Sequence, residues 1–497
     1  MRSRCAALLA AAGLAILLAG ASLSSAQAAP GSAVIAGSSG GTWGKAIAIP
    51  GLGRLNTGGS ADISAISCPA PGDCVVAGYY TASDLSQQGF LVSQSKGVWD
   101  RAINVPGLVS LNVGNSHVGK SASVDSISCA RVGDCSAGGQ YTAKDGLLEA
   151  FVVTESRGRW GRAIEVPGSA RLAVTGFGDI SAMSCTRPGD CTAGGGYGVE
   201  GPSEGASQAL VVTERHSQWG TAIEVPGSGR LDVLGQGDLE SVSCSSPGNC
   251  SAGGSYLDGN DNYQAFVVTQ RHGRWGQAIE VPGSARLNAG GIAQIESVSC
   301  TGVGDCSAGG DYTSALSQQA FVVTETNGRW GRAIEVPGSA RLNRGGEAEI
   351  ESVSCARVGD CSAGGDYAGS GSDISAAFVV TQSHGRWGRA IEVPGSARLN
   401  RAGEAEIDTV SCAAPGDCSA GGDYGRSANS EQAFVVTQSR GRWGRAIEVP
   451  GSAALNVGGL AEVESVSCAA PGRCSAAGSY SYGKGGVDSE GFVVTER

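Results

Sequence analysis

Short runs rich in β-branched and aromatic residues recur along the chain, each bounded by clusters of Gly, Pro, Ser or Asp. That is the pattern of strands separated by turns. Residues 347–394 hold four such runs. Ile350 to Cys355 (I-E-S-V-S-C) reads as strand A and Cys361 to Tyr367 (C-S-A-G-G-D-Y) as strand B. Ala377 to Gln382 (A-F-V-V-T-Q) reads as strand C, and Trp387 to Val393 (W-G-R-A-I-E-V) as strand D, closed by Pro394-Gly395. No segment keeps a 3.6-residue apolar period over a useful length, so the fold class is all-β.

The block returns eight times. Trp stands at 43, 99, 160, 219, 275, 330, 387 and 443, a spacing of 55 to 61 residues. A C-x5-C pair keeps the same beat: Cys68 and Cys74, Cys129 and Cys135, Cys185 and Cys191, Cys244 and Cys250, Cys300 and Cys306, Cys355 and Cys361, Cys412 and Cys418, Cys468 and Cys474. A Tyr follows each second Cys by six residues, and a Pro follows each Trp by seven. Four markers in eight registers define a tandem repeat of about 56 residues. Four short antiparallel strands per repeat is the plan of a β-propeller blade. The last repeat has A, B and C strands and stops, whereas the chain opens with a D strand, Trp43 to Ile49. The N-terminal D strand therefore completes the C-terminal blade, closing an eight-bladed ring and removing an exposed edge.

Upstream of the repeats, residues 1–28 read as a secretory signal peptide. Arg2 and Arg4 precede an apolar stretch from Ala6 to Leu18, and Ala26-Gln27-Ala28 is an A-x-A cleavage site. The stretch is too short to span a membrane. The expectation is one propeller domain over 29–497 that is secreted, extracellular and not inserted in a membrane. Cleavage removes Cys5 and leaves sixteen cysteines, an even number that in an exported chain reads as eight disulfides. Zinc is the alternative, but C-x5-C without His lies outside the usual zinc spacing.

The net charge of −11 excludes a nucleic-acid binder that works through a basic face. The acids themselves are patterned. Asp125, Glu240, Glu296, Glu351, Asp408 and Glu464 each stand four residues before the first Cys of a repeat, with Ser64 and Ser181 in the first and third. Strand A lines the channel of a propeller, so these residues form a ring that could bind a cation or repel anions. The Asp before the second Cys, as in Asp305, reads as a turn residue bonding its own backbone. On strand D, an Arg of one blade (Arg332, Arg389) could meet a Glu of the next (Glu335, Glu392). Asp258-Gly259-Asn260-Asp261-Asn262 resembles the first half of a calcium loop, with Asp258, Asn260 and Asn262 as ligands, although Tyr263 stands where Gly belongs. Calcium is the one cofactor the sequence raises, and otherwise none is expected.

The unit S-C-x5-C-S-A-G-G-x-Y, then F-V-V-T, then G-x-W resembles the tandem repeats of secreted β-propeller proteins of high-GC Gram-positive bacteria, of BNR/Asp-box-like or Kelch-like type. The resemblance spans residues 33–497 and implies architecture. Only Gly40, Thr42 and Trp43 meet the Asp-box pattern, with Ser38 in place of its Asp, so a sialidase is not implied.

Two function classes follow. The first is a non-enzymatic binding or scaffold protein, contacting extracellular polysaccharide or a surface protein. The four D segments from Trp275 onward share G-R-W-G-R-A-I-E-V-P-G-S-A nearly verbatim, and repeated surfaces suit multivalent binding. The B–C and D–A loops would share one face and make the contact. The second class is a carbohydrate hydrolase or lyase using the central face, with a carboxylate pair such as Glu351 and Asp408. No triad, phosphate loop or metal motif singles out a catalytic residue.

Overall fold

The computed structural model describes residues 41–115, 117–201, 205–370, 375–483 and 488–497; residues 1–28, read from the sequence as a signal peptide, lie outside them. Eight four-part antiparallel sheets form a ring of blades, numbered here by their cysteine pairs from blade 1 (Cys68 and Cys74) to blade 8 (Cys468 and Cys474). Blade 5 is representative. Strand A is Ala293–Gly302, B is Asp305–Thr313 and C is Gln318–Thr326. Strand D comes in two pieces, Arg329–Trp330 and Ile334–Glu335, both paired with C. No helix among the described residues is long and apolar enough to cross a membrane.

The broken D strand differs from the continuous Trp387-to-Val393 run that the sequence pattern implies. In blade 6 the pieces are Arg386–Trp387 and Ile391–Glu392. Between them the N–H of Ala390 turns away from strand C and donates to the carbonyl of Pro337 in the preceding blade, at 2.8 Å. The same Ala-to-Pro bond, 2.7–2.8 Å, joins all eight neighbouring pairs, including Ala46 to Pro450 across the join. After each Pro-Gly the chain also makes one helical turn, such as Ser339–Leu342, entered through Gly338 at φ 88°. Four residues are too few for a helical period to register in sequence.

A second ring of bonds holds the A strands together. In every blade the Cys that opens the C-x5-C pair donates its backbone N–H to the Ser beside the equivalent Cys of the blade before it, at 2.8–3.0 Å. The A strands are thus the innermost layer. The core lies between blades, where the fully buried Phe90 and Ile66 of blade 1 pack with Ala477 and Val493 of blade 8. The Gly-Gly of strand B makes this close packing possible. A Cβ on Gly310 would run into the Gln294 carbonyl of strand A, and one on Gly309 would lie only 2.6 Å from Ile350 Cγ2 of the next blade.

The ring closes as expected. Ile47 and Ala48 pair with Val493 and Phe492, and Thr42 and Arg497 exchange backbone bonds of 2.8 and 3.0 Å. The eight cysteine pairs are all disulfides across the A–B hairpin, with Cα atoms 3.9–4.1 Å apart. Cys68 is bonded to Cys74, Cys129 to Cys135, Cys185 to Cys191, Cys244 to Cys250, Cys300 to Cys306, Cys355 to Cys361, Cys412 to Cys418 and Cys468 to Cys474. With both sulfurs of each pair so engaged, the zinc alternative falls away. The second Cys of every pair, Cys250, Cys306, Cys418 and Cys474 included, is buried. These cysteines are therefore structural staples inside the blades. Eight such bonds fit an extracellular or otherwise oxidising environment.

Two expectations need correction. The Asp before the second Cys serves the neighbouring turn rather than its own. Asp305 Oδ1 accepts from the N–H of Asn327, at 3.0 Å, in the C–D turn. Asn327 has φ 49° and Gly328 φ 72°, a two-residue hairpin turn whose left-handed backbone Asp305 helps fix. On strand D the Glu carboxylates accept from the repeat's Tyr instead of meeting Arg. Tyr312 Oη donates to Glu335 at 3.1 Å, and Tyr424 to Glu448 at 2.6 Å. The Arg side chain lies over the preceding blade's Pro-Gly turn, as Arg389 does over Gly338.

Candidate functional site

The blades set up two distinct faces. On one, each strand C begins by donating a backbone N–H to the following D–A loop, as Gln318 does to Gly346 and Tyr263 to Gly291, at 2.7 and 2.9 Å. The B–C and D–A loops therefore share a face, as the repeat pattern implies. Strands extend further than that pattern implies, so the B–C loop of blade 5 shrinks to residues 314–317. On the opposite face the A–B and C–D turns meet, as in the 2.7 Å bond from Gly328 to Gly304. Clefts of about 350 and 390 Å³ open between blades on that turn face, the first lined by Arg187, His216 and His272.

The acids predicted at the channel stand where strand A begins, near the loop face. In blades 1, 2, 4, 5 and 8 the position four before Cys is the extra residue of a β-bulge. Register passes from Ile295 to Ser297 and leaves Glu296 unpaired, and likewise skips Asp125, Glu240 and Glu464. A bulge bends the strand and re-aims a side chain. Asp125, Glu240, Glu296, Glu351, Asp408 and Glu464 are all partly exposed.

The structure adds carboxylates that the four-before-Cys rule misses. Asp62, Asp179, Asp238, Glu349, Glu406 and Glu462 stand two residues earlier. Strand alternation from the acids already singled out is the signal that finds them. Asp311, Asp366 and Asp423 come from strand B, opposite those positions, as the Gln294–Asp311 register shows. Only three blades carry an acid there, so the repeat does not reveal it.

These groups crowd one another. The carboxylate oxygens of Glu349, Glu351 and Asp366 approach within 4.8 Å, as do those of Glu406, Asp408 and Asp423, and those of Asp62, Glu462 and Glu464 across the ring join. Their hydrogen-bond partners include neutral groups. Gln318 Nε2 donates to Glu349 at 2.8 Å, Ser375 Oγ to Asp366 at 2.8 Å and Tyr79 Oη to Asp62 at 3.3 Å. The ion pairs Lys120–Asp84, Arg131–Asp134 and Arg357–Asp360 do not involve Glu349, Glu351, Asp366, Glu406, Asp408 or Asp423. Burial, then repulsion from neighbouring acids, raises Glu296, Glu351, Asp366, Asp408, Asp423 and Glu464 well above the carboxylate range. Burial lifts Asp125 to about 6, and burial with Glu349 beside it lifts Asp311 to about 7.

Asp258 lies elsewhere, in the B–C loop of blade 4. Its Oδ1 accepts from the N–H groups of Asn260 and Asn262, at 2.7 and 3.1 Å, and its Oδ2 from Gln264 at 3.2 Å. The carboxylate is engaged in shaping its own loop. Among the described residues, Asp258 joins no cluster of three close ligand atoms.

No protein-family model matches the chain. No curated protein is similar to it in sequence. Solved structures do resemble it. Sqt1 of Chaetomium thermophilum is 12% identical, with 88% of this chain and 96% of that one covered at a TM-score of 0.48. The same protein bound to the N-terminus of ribosomal protein L10 gives 11%, 88%, 98% and 0.48. An ulvan lyase of polysaccharide lyase family PL25 is 10% identical over 83% of this chain and 95% of its own, at 0.38.

Proposed function

We propose that the protein is a secreted, non-enzymatic binding or scaffold propeller that engages a repeating extracellular polymer, polysaccharide in the first instance, through many equivalent contacts. The observation that carries this reading is the outer edge of the ring. Each blade exposes the same D-strand isoleucine: Ile47, Ile103, Ile164, Ile223, Ile279, Ile334, Ile391 and Ile447 are 42–46% exposed. In blades 5 to 7 an exposed Arg (Arg332, Arg389, Arg445) precedes it by two residues. A single weak contact repeated around a rigid ring gains avidity against a polymer with a matching repeat, because each contact after the first is intramolecular.

The test is the mature protein on a polysaccharide and glycan panel, with products assayed in parallel. Binding without product release supports the reading, and Ile334→Ser, Ile391→Ser and Ile447→Ser combined should weaken it stepwise. Binding to no glycan shifts the partner to an extracellular protein. Release of sugar fragments replaces the reading with the hydrolase or lyase alternative.

A further inference from the structure

The channel acids are not spread evenly around the ring, and the crowding between blades 5 and 6 has no counter-charge among the ion pairs of the described residues. Glu349, Glu351 and Asp366 bring three carboxylate oxygens within 4.8 Å of one another. Oxygens that share one calcium, each about 2.3–2.6 Å from it, can be no more than about 5 Å apart, so this spacing suits a common ion. A cluster of acids alone is ordinary on a protein surface. Here two further atoms point the same way. Asp366 Oδ1 is closed off from solvent and has no hydrogen-bond partner. Asp311, from the neighbouring blade and only 1% exposed, also has an unpartnered Oδ1. Gln294 and the same Gln318 that donates to Glu349 bond to its carboxylate, which puts it beside the cluster. A buried carboxylate oxygen without a donor costs free energy, and a cation shared by the cluster would offset that cost at both atoms.

We propose that Glu349, Glu351 and Asp366 bind a divalent cation at the channel wall of blade 6, with Asp311 completing its surroundings. All the available donors are oxygen, which favours a hard cation such as calcium over zinc. The site is separate from the Asp258 loop and does not depend on the polymer reading.

Calcium chloride alone is titrated calorimetrically into EDTA-stripped mature protein at neutral pH. The wild type should bind calcium, Asp366→Asn and Glu349→Gln should each lose one equivalent, and Asp258→Asn should lose none. Thermal melts separate ligation from a merely structural role. In EDTA, Asp366→Asn should melt no lower than the wild type, since it relieves repulsion, and calcium should raise the wild type more than the variant. No calcium binding by the wild type, or full binding by both variants, overturns the proposal and leaves a cluster that shares protons instead.

Discussion

The backbone N–H of Cys68, in the first blade, donates to Ser467 Oγ, in the last, at 3.0 Å. The same bond joins every other neighbouring pair of A strands. The Ser-Cys dipeptide thus has two roles, with the thiol stapling its own hairpin and the hydroxyl receiving the next blade. Ser467 is the member that joins the two ends of the chain.

Replacing that hydroxyl should therefore weaken the closed ring. Ser467→Ala leaves a buried N–H without its acceptor, at a cost of about 1–3 kcal/mol. Ser467→Thr keeps the acceptor and should lose less. Urea midpoints compare the two, and an unchanged midpoint for Ser467→Ala would show that the bond contributes nothing to closure.

The channel acids predict an unusual pH dependence. Asp125 rises from 3.8 to about 6 in the folded chain, chiefly through burial. A raised folded value means the native state holds the proton more tightly than the unfolded one. The stabilising contribution is full below about pH 4 and is lost as pH climbs through about 6. The loss is at most about 3 kcal/mol, before solvent in the channel screens it. In EDTA, Asp125→Asn should match the wild type near pH 4 and exceed it near pH 8 by urea denaturation. Parallel profiles for the two would mean that Asp125 ionises without penalty.

Each disulfide closes a small loop, its cysteines six residues apart in sequence. The chain-entropy model assigns about 2 kcal/mol to such a loop. Cys355→Ser with Cys361→Ser should lower the melting temperature while leaving the far-ultraviolet circular dichroism of the ring intact. A variant that melts with the wild type would place the stability in the inter-blade bonds alone.

The ring is legible in the sequence because Trp, the Cys pair, Tyr and Pro each fill one slot in every blade. The break in strand D is not, because the partner of Ala390 is Pro337 in another blade, and sequence pattern reports pairing only within a strand. The pattern marks Asp305 as a turn residue, yet its partner Asn327 lies one hairpin away. The acids four before Cys are visible by repetition. Asp311 and Asp366 are not, since strand B carries an acid in a minority of blades and only the A–B register sets it beside strand A.

The complementarity of the termini makes the sharpest prediction. Strand C of blade 8, Asp488–Thr495, has the N-terminal residues as its outer neighbour. Trp43 adds an indole bond of 3.1 Å to Thr437 in blade 7, and Ala46 donates to Pro450 at 2.7 Å. Deleting residues 41–50 removes all three links and bares the backbone of a strand that is otherwise buried in the ring. An unpaired edge recruits another. The truncated chain should form dimers or larger species by light scattering, and a synthetic peptide of residues 41–50 added in excess should return it to monomer by filling the edge. A truncated chain that stays monomeric and melts with the full one would mean that the inner ring of Ser–Cys bonds closes the propeller without its outer strand.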